Sequence, residues 1–165
     1  MSTSDSPISA RRPTGGVSGF ESAIPFRELR VHTAAVYCSD GRIGGQIDEF
    51  LHHILDTSLC DRLAVPGGPA SLRVSSPVPD ESRGIKQQLN FLIRAHGLRR
   101  VILIAHVPCA FYRERLGVPD DLQRDRQVGD LREAAREVRT LAQLLVDAYA
   151  ARAVKTNVQF HPVSV

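Results

Sequence analysis

A chain of 165 residues fits one domain and is long enough to bury a substantial core. Hydrophobic residues make up 42% and charged residues 24%, and the net charge of +3 is spread over scattered arginines rather than a basic run. With only 5% aromatics, this argues against a nucleic-acid partner. No apolar stretch approaches the ~18 residues of a membrane span. Three cysteines cannot all pair and no secretory signal opens the chain, so the expectation is a reduced, cytoplasmic protein.

Residues 1–25 are rich in Ser, Gly and Pro, with almost no apolar periodicity, and read as a flexible N-terminal arm. Such an arm either stays a disordered tail or docks on a neighbouring subunit or another protein. Asp5 and Glu21 argue against a transit peptide. Residues 26–165 read as a single α/β domain. Val31–Cys38 is a β-type run that ends on Cys38. From Gln46 onward, Ile47, Phe50, Leu51, Ile54 and Leu55 recur at helical spacing. Arg62–Gly68 is a second short strand stopped by Pro66, Gly67 and Gly68, and Ser71–Ser82 is loop-like. A further helical face carries Ile85, Leu89, Leu92 and Ile93, with Gly97 as its stop. Val101–Ala105 is apolar throughout, as a strand covered on both faces should be. From Arg124 to about Ala151 the spacing predicts one long amphipathic helix, with Leu131, Ala135, Val138, Leu141, Leu145 and Ala148 inward. Val154–Val163 closes the chain as a last strand.

This alternation predicts an α/β fold with a mainly parallel central sheet flanked by helices. In such sheets the carboxyl ends of the strands form the binding crevice. Cys38 ends the first predicted strand, and His106 and Cys109 follow the third, so the sheet brings distant residues to one edge. Two thiolates and an imidazole, with a fourth position left over, make a catalytic-type zinc set. A His-x-x-Cys spacing lets a short turn fold around one ion. Either piece alone is weak, since an isolated cysteine is usually a small buried apolar residue. Their joint placement at strand ends, with Asp40 and Arg42 attached, favours a metal.

A rival use of Cys38 is as a nucleophile. The phosphatase loop needs Cys-x5-Arg, but here the arginine is Arg42 and position 44 is Gly44. A Cys-His-Asp hydrolase with His106 as base is possible chemistry, but it leaves Cys109 without a role.

Cys38-Ser39-Asp40-Gly41-Arg42 resembles the Cys-x-Asp-x-Arg motif of the β-class carbonic anhydrases, and His106-Val107-Pro108-Cys109 resembles their His-x-x-Cys. The resemblance covers the chain from about Phe26 to the C-terminus. It implies a zinc ion held by Cys38, His106 and Cys109, a catalytic pair of Asp40 and Arg42, and a homodimer or higher even oligomer with sites near the subunit interface. It also implies the reversible hydration of carbon dioxide to bicarbonate by zinc-bound hydroxide. Two thiolates already balance the metal's charge, so such a zinc acidifies water less than a three-histidine site would. Asp40 could then orient the hydroxide while Arg42 clamps the carboxylate; an unclamped Asp40 would be free to swing onto the metal.

The chain departs from the family at several points. Pro66-Gly67-Gly68-Pro69 stands where many members have Arg-Asn-Ala-Gly, Ala110 replaces the usual glycine, and Pro108 a small polar residue. Cys60 reads as a core thiol, and His52 and His53 as solvent-facing helix residues. These changes spare the metal set but bear on the substrate pocket. Two further readings follow: a hydrolase of carbonyl sulfide or carbon disulfide, and a non-catalytic zinc-bound member acting as an interaction module.

Overall fold

In a computed structural model the described residues are 19–54, 59–76 and 78–165. Most of the predicted arm and the predicted helical position Leu55 lie outside them. From Gly19 to Arg30 the chain is exposed and forms neither helix nor strand. Phe26, where the predicted domain begins, is therefore still on exposed chain outside any helix or strand.

Small and β-favouring residues build the centre. Strand β1 (Thr33–Cys38) is buried at every position after its first, and β3 (Arg100–Val107) at every position but its ends. Both are covered on both faces, as the unbroken apolar run of β3 predicts. Around them lie β2 (Asp61–Val65), β4 (Leu145–Val154) and β5 (Asn157–Pro162). The sheet order is β2-β1-β3-β4-β5. The first four strands run parallel, and only β5 is antiparallel, to β4. The expected mainly parallel α/β fold is thus the observed one, with one more strand than predicted.

Helix α1 (Gly44–Ile54) covers one face, setting Ile47 and Leu51 with Ile43 against Ala35, Tyr37, Ile102 and Ile104. Phe50 stacks on Phe160 at 4.1 Å and meets the edge of Tyr149 at 4.8 Å, tying α1 to β4 and β5. Helix α2 (Pro79–His96) and α3 (Gln123–Leu141) cover the other face through Ile85, Leu89, Ile93, Leu131, Ala134 and Val138. Helix α2 opens with Pro79 at its first position and acids in the first turn. It closes on Gly97 at φ 63°, whose N–H returns to the Ile93 carbonyl. The predicted stop is there, but the helix starts earlier than its apolar stripe. The loop predicted over Ser71–Ser82 is correspondingly shorter, and it is preceded by a buried 3-10 turn, Gly68–Leu72. Among the described residues, no helix is long and apolar enough to cross a membrane.

One prediction fails clearly. The long helix to Ala151 stops at Leu141, and β4 begins at Leu145. The apolar intervals Leu141, Leu145 and Ala148 mimic a helical stripe. The same stretch, however, also carries a period of two, with Val146, Ala148 and Ala150 against one core and Tyr149 and Ala151 against the other. Pairing with β3 along eight residues outweighs the helix preference of Leu and Ala. Leu145, predicted inward, is 71% exposed. Leu145→Ser should therefore change stability by no more than ~0.5 kcal/mol. Leu131→Ala, at a fully buried position, should cost about 2–5 kcal/mol in denaturant unfolding. Comparable losses at the two sites would contradict the strand.

Candidate metal centre

Cys38 closes β1 and lies level with Val65 of β2. On the other side of β1, Tyr37 lies level with Ile104 of β3, so β3 runs two to three residues past it at the same sheet edge. His106 is still inside β3, not beyond it as predicted, and Cys109 follows the cis Val107–Pro108 peptide. The donor atoms of Cys38, His106 and Cys109 lie within 4.8 Å of one another, and the three residues are only 7%, 6% and 1% exposed. The sequence therefore singled out three residues that the fold brings together.

The geometry suits a small soft-to-borderline cation. Zinc–sulfur bonds of about 2.3 Å at a tetrahedral angle set two sulfurs about 3.8 Å apart. The Sγ atoms of Cys38 and Cys109 are 3.8 Å apart. His106 Nε2 is buried and meets no hydrogen-bond partner in the protein, a costly arrangement unless the atom has another use. The hydrogen bond with Cys109 pulls the Cys38 thiol down to about 4, with help from His106 and against burial. The same bond, with burial, drives Cys109 up. The contact thus favours the thiolate at Cys38, the form that binds metals.

Asp40 stands beside the cluster but not in it. Arg42 Nε donates to Asp40 Oδ1 at 2.9 Å and Nη2 to Oδ2 at 2.5 Å, and the Arg42 backbone N–H also donates to Oδ1. These bonds, more than the opposing burial, hold the Asp40 carboxyl down to about 2. The clamp is lopsided: the Asp40 side chain is 15% exposed and that of Arg42 73%.

The altered segment after β2 explains its glycines. Gly68 sits at φ 54°, and a Cβ there would lie 2.8 Å from the Cys38 nitrogen. Gly67 sits at φ 73° with the Phe111 ring where its Cβ would go. The Pro-Gly-Gly-Pro run thus lets backbone and ring close in behind Cys38. Ala70, Val78, Phe111 and Tyr112 complete an apolar cluster around the two cysteines.

Sequence reasoning missed several residues that touch this centre. Gln123 Oε1 accepts from the Cys109 N–H at 2.8 Å, and Gln127 Nε2 donates to the His106 carbonyl at 2.7 Å. Both glutamines are buried. Asp130 accepts from the Tyr112 hydroxyl at 2.8 Å and from buried Arg73. A signal existed: Gln123 and Gln127 continue the inward stripe of Leu131 and Val138 at intervals of four, polar residues at apolar positions. His52 and His53 are exposed as expected, and Cys60 is half-buried at the margin of the α1-side core. Two broader concavities, of 730 and 670 Å³, lie against α1 and β5 and against α3 and β4–β5. Neither is lined by Cys38, His106 or Cys109, so size does not point to the chemistry here.

A family model described as "Putative carbonic anhydrase" matches residues 29–163 of this chain. The chain belongs to that family. Its fold is similar to that of a carbonic anhydrase from Glaciozyma antarctica, at 17% identity and TM-score 0.54, covering 82% of this chain and 83% of the other. The β-carbonic anhydrase isoform I of Trichomonas vaginalis gives 14% and 0.53, covering 88% and 90%. The Streptococcus mutans carbonic anhydrase gives 15% and 0.52, covering 82% of each chain. No curated protein sequence matches the chain. The β-class resemblance read from the two motifs thus agrees with both family and fold.

Gly68→Ala should cost about 1–3 kcal/mol of stability, from left-handed strain and the approach to Cys38. Gly84→Ala in α2, where nothing lies within 4 Å of a new Cβ, should instead stabilise by roughly 0.5–1 kcal/mol. Denaturant unfolding of the two variants checks the contrast, and equal effects would remove the close packing argued for Gly68.

Proposed function

We propose that residues 26–165 form one zinc-binding unit that interconverts carbon dioxide and bicarbonate. Cys38, His106 and Cys109 are its metal ligands, and Asp40 and Arg42 its catalytic pair. The observation that carries this is the convergence of three buried donors beside a carboxylate already clamped away from them. Two sulfurs at tetrahedral spacing and an orphaned imidazole nitrogen fit zinc, which would supply Lewis-acid activation of water near neutral pH.

The other roles fall to this chain's own groups. Asp40, kept ionised by Arg42, accepts a hydrogen bond from the attacking water and so aims its lone pair. Arg42 also occupies both carboxylate oxygens, which keeps Asp40 from becoming a fourth ligand. Phe111 and Ala70 pack around the two cysteines as apolar surroundings, which suit a small neutral molecule better than a charged one. The same apolar surroundings suit carbonyl sulfide or carbon disulfide, which makes their hydrolysis the second reading. A zinc-bound chain inactive on all three substrates would be the interaction module.

We extend the proposal to assembly as a homodimer or higher even oligomer. Phe20, Ile24, Phe26 and Leu29 project from one exposed segment with no core to enter, an arrangement that favours a protein partner over water. Light scattering at micromolar concentration is expected to give twice the chain mass or a multiple of it; a monomer would count against this extension alone.

Elemental analysis should find about one zinc per chain, held tetrahedrally. Stopped-flow hydration of carbon dioxide should show turnover in the wild type. Asp40→Asn is expected to keep zinc and lose roughly 10²–10³ in rate, as when one preorganised polar group is removed. Arg42→Ala should lose comparable activity with zinc retained, because its carboxylate partner becomes free to move. If all three proteins hold zinc and are equally inactive on carbon dioxide, the carbonic anhydrase reading falls, and turnover measured on carbonyl sulfide and carbon disulfide decides the hydrolase reading.

A further inference from the structure

Helix α3 contributes no metal-type ligand to the centre, yet it grips the end of β3 and the turn after it, which carry two of the three donors. Gln127 Nε2 donates to the carbonyl of His106 at 2.7 Å, and Gln123 Oε1 accepts the N–H of Cys109 at 2.8 Å. The two glutamines are one helical turn apart on one face, 0% and 1% exposed. A buried amide among Leu131, Ala134 and Val138 costs free energy unless its partners are fixed. For Gln123 they are: its Nε2 donates to the Asp120 carboxylate at 2.8 Å and to the Val118 carbonyl at 3.3 Å. The amide can therefore face Cys109 only through its oxygen, and the orientation is set from outside the centre. Three residues beyond Gln127 on α3, Asp130 takes the hydroxyl of Tyr112, which follows Cys109, and is itself held by Arg73 and Arg126.

We propose that Gln123 and Gln127 are positioning residues for the metal centre, a rigid two-point brace that fixes the His106 and Cys109 backbones at the spacing one ion requires. The inference rests on the zinc reading above. Neither amide touches a donor atom; each acts on the backbone of the residue that bears one. A brace of this kind sets ligand spacing before metal arrives, so its loss falls on affinity and coordination geometry.

Gln127→Met and Gln123→Met keep side-chain length and remove the amide. Competition of the full chain with a chromogenic zinc chelator is expected to show each variant binding 10–100-fold more weakly than wild type. Both variants should also melt lower, so Val138→Ala, a cavity on the same buried helix face, serves as the destabilised control. It should lower the melting point of the zinc-free protein while leaving zinc affinity unchanged. The absorption spectrum of cobalt-loaded protein, which reports coordination geometry, should change in the glutamine variants and not in the control. Should a methionine variant fail to fold, Gln127→Asn, one methylene short of the carbonyl, supplies the folded comparison and is expected to bind as weakly. Glutamine variants that bind zinc like wild type, or a Val138→Ala that loses as much affinity, would overturn the brace alone. A wild type that takes up no zinc would overturn the brace and the metal reading together.

Discussion

The parallel pairing of β1 with β3 is the constraint from which the rest follows. Five consecutive partners, Thr33 with Arg100 through Tyr37 with Ile104, lock the two central strands in one register. That register fixes where both strands end, and so sets Cys38 beside the segment that carries His106 and Cys109. A slip in the pairing would separate the cysteines by a strand repeat and turn buried side chains onto the wrong face. Burial of both faces makes such a slip costly. Ala34, Ala35, Val36, Val101, Ile102 and Leu103 are all fully enclosed.

Polar chemistry in this setting survives because most of its buried groups are held by another, the exceptions being Arg73 Nε, His106 Nε2 and Gln127 Oε1. Arg73, Asp130 and Tyr112 form one buried network, Gln123 and Gln127 hold backbone groups, and Asp40 is held by Arg42. The partners come from α3, from the turn after β2 and from the loop after β1. The donor cluster is therefore enclosed by elements that reach it independently, and its apolar neighbours exclude water while the polar ones fix position.

Much of this was legible in the residues. The motif pair gave the three donors and the clamped carboxylate, because metal ligands need particular side chains at particular spacings. The uninterrupted apolar run of β3 and the glycine stop of α2 were equally plain. What escaped was decided by tertiary context. Leu and Ala fit both helix and strand, so the stretch after Leu141 was read by its stronger period until pairing with β3 chose the other. The predicted inward stripe of α3 starts at Leu131 and the predicted helix at Arg124, one residue after Gln123, and nothing local says whether a glutamine a turn or two upstream is a buried anchor or a surface residue. Gly67 and Gly68 read as a strand stop; their closeness to Phe111 and Cys38 exists only in three dimensions.

The two cysteines stand 71 positions apart in the chain, and this distance orders events during synthesis. Cys38 leaves the ribosome first, without the other two members of the donor cluster. His106 and Cys109 follow only after α1, β2 and α2 have been made, and the glutamines that hold them come later still. Domains dominated by such long-range strand pairing close their loops late and fold slowly. A nascent or truncated chain ending before α3 therefore carries all three donors without the helix that grips two of them. On the zinc reading proposed above, uptake of the ion falls to chains that have completed the sheet and laid α3 across it.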